Sequence, residues 1–104
     1  MNNQENKPIG LKNDIIDDKD RWDLLHLEDI EEVVKILSFG SKKYGPNNWQ
    51  YVENGVERYY AALMRHLCAW RKGENIDPDS GLHHLSHAAC NILFLINLTR
   101  NEKK

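Results

Sequence analysis

The chain has 104 residues, enough for a single domain, with 40% hydrophobic and 29% charged residues and a net charge of −2. That balance excludes the strongly basic surface of a non-specific nucleic-acid binder. No apolar run approaches the roughly 18 residues of a membrane span, and the opening "MNNQENKPIG" has no signal-peptide core. A cytoplasmic chain with no membrane partner is therefore expected. Two cysteines, Cys68 and Cys90, are too few for a disulfide framework, and both fall in helical apolar patterns as small buried residues.

Residues 1–24 are mostly polar and charged, contain an Ile15–Ile16 pair, and read as an arm or strap. Residues 25–100 then carry three helical patterns, and 101–104 form a polar tail. In the first, Ile30, Val33, Val34 and Leu37 recur at i, i+3, i+4 and i+7, with Gly40 and Gly45 bracketing the end. "GPNNW" is a turn, because Pro46 cannot continue a helix. The second pattern opens at "NGVE", where Asn54 and Glu57 have the spacing of a capping box. Its predicted packing stripe is Val56, Tyr60, Leu63, Leu67 and Trp70, with Gly73 as C-cap.

After the loop "ENIDPDSG", the third pattern begins at "GLHHLSHAACN". Leu85, Ala89, Ile92, Ile96 and Thr99 form its predicted packing face, and Leu93, Phe94, Leu95 and Leu98 add apolar surface around it. No segment reads as a strand, so the fold class is all-α: a small bundle of about three main helices with an irregular N-terminal arm. Three helices give a thin core, and a helix apolar most of the way round needs cover on most sides. Completion of the bundle by homo-oligomerisation is the expectation.

Chemistry gathers at the start of the third helix. His84, His87 and Asn91 lie at i, i+3 and i+7 and share one face, continued by Phe94 and Leu98. Arg58 and Arg65 share a face of the second helix, with Ala62 and Ala69 leaving room beside them. Three uses suit this set. His84 and His87 with a carboxylate such as Glu32 could ligate zinc, manganese or iron, which accept imidazole more readily than magnesium does. The arginines, histidines and Asn91 could instead grip an anionic ligand, since guanidinium binds phosphate by two-point hydrogen bonds. Tyr44, Trp49 or Tyr60 would then supply a stacking surface for a base. Thirdly, the stripe could be an interface network with no small ligand.

"KKYGPNNW", "YYAALMRHLCAWRKGENIDPDSG" and "HHLSHAACNILFLINL" together resemble a phage-associated family, the N-terminal domain of dATP/dGTP diphosphohydrolases. Its pattern falls here on Lys43, Tyr44, Gly45, Asn48, Trp49, Arg65, His66, Gly73, Glu74, Asp77, Ser80, Gly81, His84, Leu85, His87, Ala88 and Asn91. The resemblance implies an all-α, MazG-like relationship, in which ExxE and ExxD carboxylates hold magnesium against a triphosphate. Glu28 with Glu31 or Glu32 echoes the first half. At the second, His84 and His87 stand where E..D is expected, while Glu74 and Asp77 keep the spacing in a loop before Pro78.

The chain ends where longer family members continue, which points to a module that binds without turnover. The reading that combines these signals is a phage-type homo-oligomer binding a purine nucleotide and sequestering it, for example a cyclic dinucleotide immune signal, in an infected bacterial host. Arg58, Arg65, His66, His84, His87 and Asn91 would contact the nucleotide, and no cofactor is required for binding. The alternative is a pyrophosphohydrolase using Mg or Mn held by Glu28, Glu31, Glu32, Glu74 and Asp77.

Overall fold

A computed structural model describes residues 18–100 of the chain. The Ile15–Ile16 pair, most of the predicted arm and the polar tail lie outside the described residues. The fold is all-α, with α1 at Glu31–Tyr44, α2 at Gly55–Arg71 and α3 at His84–Arg100. Short 3₁₀ turns at Trp22–Leu24, Leu27–Asp29 and Asn48–Tyr51 precede α1 and α2. The described residues contain no strand, only an isolated antiparallel bridge between Ile76 and His83 that pinches the loop joining α2 to α3.

The helix ends follow local chemistry. α1 carries Glu31 and Glu32 in its first turn and Lys42 and Lys43 in its last, which complements the helix dipole. It runs through Gly40 and stops at Gly45, whose φ of 98° suits a residue without Cβ. α2 begins after Asn54 as expected, but not through a capping box. Asn54 sits at φ 58° and makes no side-chain cap bond, so a left-handed turn, not a side-chain oxygen, starts the helix. At the other end Gly73 N–H donates to Trp70 O at 2.9 Å and Glu74 N–H to Ala69 O at 3.0 Å. These two bonds, with Gly73 at φ 109°, make a Schellman cap.

α2 and α3 form the principal helix pair, and α1 packs mainly on α3. Which faces meet departs from the apolar pattern. Buried apolar residues among those described are Val33, Ala88 and Cys90, joined by the polar His84 and Asn91. The predicted α3 packing face is largely turned outward: Leu85, Ile92 and Ile96 are exposed. The face carrying His84, Asn91, Phe94 and Leu98 packs inward instead. Both faces offer apolar area, and the polar one can be buried because its imidazole and amide find partners inside the fold.

Similar corrections hold on the other helices. Tyr59, not Tyr60, packs inward and donates its hydroxyl to Trp49 O at 2.9 Å, while Tyr60 is exposed. Val34 and Ile30 of the α1 stripe are exposed and Val33 is buried. Cys90 is buried, with its thiol pushed up to about 11 by desolvation, whereas Cys68 is exposed on the outer side of α2 with Tyr60 and Met64. α2 is covered by a helix on one side only, so a residue four or eight positions along from Tyr60 shares its exposure.

Candidate functional site

Two distinct places collect chemistry. The first lies where the C-terminal half of α2, the 73–83 loop and the first turns of α3 meet. His84 is buried and bonded at both nitrogens: Nε2 lies 2.7 Å from Glu74 Oε1, and Nδ1 lies 2.9 Å from His66 Nδ1. A carboxylate only accepts, so the proton between His84 and Glu74 sits on Nε2. With both rings neutral, His84 Nδ1 accepts from His66 Nδ1–H, which leaves the His66 lone pair on Nε2. Burial, followed by the nearby His87, holds His66 below the usual histidine range, favouring that neutral ring.

His87 stacks on His66 with ring centroids 4.5 Å apart and an interplanar angle of 6°. Burial also lowers His87, against the opposing pull of Asp77. Its Nε2 lies 2.7 Å from Ser80 Oγ and 3.6 Å from Asp77 Oδ2. Asp77 is held by its own loop: Oδ1 accepts Asp79 N–H at 2.9 Å, and its backbone N–H donates to Leu82 O at 2.8 Å. His66, Asp77 and His87 thereby offer ligand atoms all within 4.8 Å of one another.

Glu32 has a different task. Its Oε1 accepts His83 N–H and Ser86 Oγ–H, each at 3.0 Å, so a carboxylate from α1 caps the start of α3. Leu85 N–H adds a bond to His83 Nδ1 at 3.0 Å. These bonds, led by the His83 amide, hold Glu32 below its ordinary value of 4.5. Glu32→Ala is expected to cost about 1 kcal/mol, the usual loss of a helix N-cap. The contribution is fully present above pH 4.5 and is lost as pH falls through the lowered folded-state value. Urea unfolding of wild type and variant across that range should show the two curves converge in acid; a constant gap would reject the assignment.

The second place is a groove of about 1100 Å³ between α1, the 45–52 connection and α3. Tyr44, Trp49, Arg58, Asn97 and Arg100 line it above an apolar floor that includes Phe94. Trp49 stacks on Phe94 at 4.4 Å and 17°, and Tyr59 tilts against the same ring at 4.9 Å and 56°. One face of Trp49 is thus committed to packing. Tyr44 is exposed, with the Lys43 ammonium 5.3 Å from its ring centroid.

The residues singled out in the sequence therefore separate. Arg58, Tyr44 and Trp49 belong to the groove. Arg65 lines a shallow depression on the outer face of α2 with Lys72 and Glu74, and Tyr60 lies outside both hollows. His66, Glu74, Asp77, His84 and His87 form the cluster, and Asn91 is buried beyond it with Nδ2 donating to His87 O at 3.0 Å. Glu28 and Glu31 are exposed at the start of α1. Among the described residues one group of three ligating side chains assembles, His66, Asp77 and His87. Of the expected trio, His87 lies in this group, while Glu32 bonds to the start of α3 and His84 to Glu74 and His66. His66, placed by the sequence among the nucleotide contacts and not among the metal ligands, joins the group from α2.

Residues 11–104 match the family described as dATP/dGTP diphosphohydrolase, N-terminal. The chain belongs to this family. The match runs from before the first described residue through α3, so all of the cluster and the groove fall within the family domain. A protein of Salmonella phage PMBT28 named dATP/dGTP diphosphohydrolase is 39% identical over 71 residues, which are 68% of this chain and 24% of that protein. The chain thus spans about a quarter of the length of that relative. No solved structure matches it. Among the described residues, no helix is long and apolar enough to cross a membrane.

Proposed function

We propose that this domain binds a purine nucleotide in the α1–α3 groove and holds it without hydrolysing it. The observation that carries the reading is the groove's lining: aromatic Tyr44 and Trp49 together with cationic Arg58 and Arg100 around a volume of about 1100 Å³. Aromatic rings accept a base by stacking, and guanidinium groups bind phosphate oxygens. The preference for purine rests on the name of the phage relative, a dATP/dGTP diphosphohydrolase. Retention of the ligand intact is favoured by the capping role of Glu32, whose Oε1 is committed to the start of α3. In an infected host, a phage-encoded protein of this kind would act by sequestering its ligand, whether a deoxynucleotide or a cyclic dinucleotide signal.

The test is incubation of untagged protein with a mixed pool of dNTPs, NTPs and cyclic dinucleotides, with and without Mn²⁺ or Mg²⁺. After filtration and heat denaturation, both fractions are read by chromatography. A purine nucleotide depleted from the filtrate and recovered unchanged from the protein is the expected outcome. Arg58→Ala should weaken retention by about 10- to 100-fold, the equivalent of one charge-assisted hydrogen bond to phosphate, while Arg65→Ala leaves it unchanged. Nucleoside monophosphate and pyrophosphate appearing only with metal would overturn the reading in favour of pyrophosphohydrolysis. Neither depletion nor product would make the domain an interaction module.

A further inference from the structure

We infer that His66, Asp77 and His87 form a binding site for one transition-type divalent cation, best suited to zinc, with Glu74 and His84 orienting the His66 ligand. The site is separate from the groove and does not depend on what the groove binds.

Three observations converge on it. The first is the donor set itself. Two imidazoles and one carboxylate, from α2, the 73–83 loop and α3, lie within 4.8 Å of one another. In a tetrahedral zinc site, bonds of about 2.0–2.1 Å place neighbouring ligand atoms roughly 3.3 Å apart. The Asp77 Oδ2 to His87 Nε2 separation of 3.6 Å is already close to that value. Closure asks the His66 ring to turn out of its parallel stack on His87, so that both in-plane lone pairs meet one ion, and the Ser80 hydroxyl to release His87 Nε2.

The second observation is electrostatic. The Asp77 side chain is 14% exposed, and among the described residues no lysine or arginine pairs with it. Its nearest ionisable partner is His87, whose Nε2 lies 3.6 Å away on a side chain only 17% exposed. A largely buried carboxylate without a lysine or arginine partner lacks a permanent compensating charge, and a bound cation supplies one.

The third is the arrangement behind the ligands. Metal-bound imidazoles characteristically hydrogen-bond through their other nitrogen, which sets the tautomer and the ring orientation. Here Glu74 holds His84 at 2.7 Å, and His84 holds His66 Nδ1 at 2.9 Å. The relay leaves His66 Nε2 as the lone-pair nitrogen and steers the ring. His84 and Glu74 are positioning residues in this scheme and do not touch the metal.

Mixed nitrogen and oxygen ligation favours zinc or manganese over magnesium, which prefers oxygen ligands and retains much of its water. Three protein ligands leave a fourth position for water or a ligand oxygen. The ion would also tie the loop to both helices of the principal pair, so binding should raise stability by mass action.

Untagged protein freed of metal with EDTA is titrated with Zn²⁺, Mn²⁺ and Mg²⁺ by calorimetry, with elemental analysis after dialysis and thermal unfolding in parallel. One zinc per chain, a raised Tm and negligible uptake of magnesium are expected. Asp77→Asn and His87→Ala should each lower zinc affinity at least 100-fold while circular dichroism stays helical, and His83→Ala should leave it unchanged. Glu74→Gln should weaken binding about 10-fold, within the usual range for outer-shell partners, and alter the visible spectrum of the cobalt-loaded protein. The inference is overturned if folded wild type takes up no zinc in excess metal, or if Asp77→Asn and His87→Ala, both folded, bind zinc as wild type does.

Discussion

Phe94→Ala should lower the free energy of unfolding by about 2–3 kcal/mol, less than the 3–5 kcal/mol typical of a fully buried phenylalanine because this ring is half-buried. The ring supports two others, stacking with Trp49 at 4.4 Å and meeting Tyr59 at 4.9 Å, and each aromatic pair adds about 0.5–1.5 kcal/mol beyond area burial. The core around it is thin, with Val33, Ala88 and Cys90 as its buried apolar residues among those described. Since whole domains are stable by only about 5–15 kcal/mol, the loss should shift the urea midpoint well outside error. Removal of the groove floor should also redshift tryptophan fluorescence in the folded state. Phe94→Leu should fall between alanine and wild type. A midpoint shift equivalent to less than about 1 kcal/mol for alanine would show that the Trp49–Phe94 stack carries little of the fold.

The second large effect concerns association. Leu85 and Ile92 are 37% and 44% exposed on the outer face of α3, and the same stripe continues into Ile96. Val34 and Phe39 on α1 are exposed as well. We expect a second copy of the chain to cover the α3 face, because an apolar stripe of this length is costly to leave in water. Each large aliphatic side chain contributes about 1.5–3 kcal/mol when buried, so the double substitution Leu85→Glu, Ile92→Glu should convert an oligomer to a monomer. Light scattering after size exclusion reads the mass directly. A wild-type protein that already elutes as a monomer at high concentration would remove the basis for this expectation. Neither residue lines the groove or the histidine cluster, so nucleotide retention and metal uptake are measured separately from assembly.

Much of the fold was legible in the residues. The i, i+3, i+4 recurrence of apolar side chains marks all three helices, and Gly45 and Gly73 end two of them through backbone conformations that other residues adopt at a cost. The shared face of His84, His87 and Asn91 follows from helical spacing alone, and so does their proximity to the start of α3. These features depend on interactions within a few residues of one another, which is why linear order suffices to read them.

Tertiary structure decided which faces meet and which side chains become neighbours. α3 is apolar on more than one side, so periodicity could not choose between the stripe of Leu85 and Ile92 and the face of His84 and Phe94. The choice fell to the face whose polar groups are satisfied by Glu74, His66 and a backbone carbonyl. Likewise, His66 meets His87 only because α2 and α3 pack side by side, and Asp77 joins them only because the Ile76–His83 bridge folds the loop back. Arg58 and Arg65, seven residues apart on one helix, part company because other elements build the groove around the first and leave the second on the outer surface. Spacing along a helix sets a direction; the partner that lies in that direction is a property of the packed molecule.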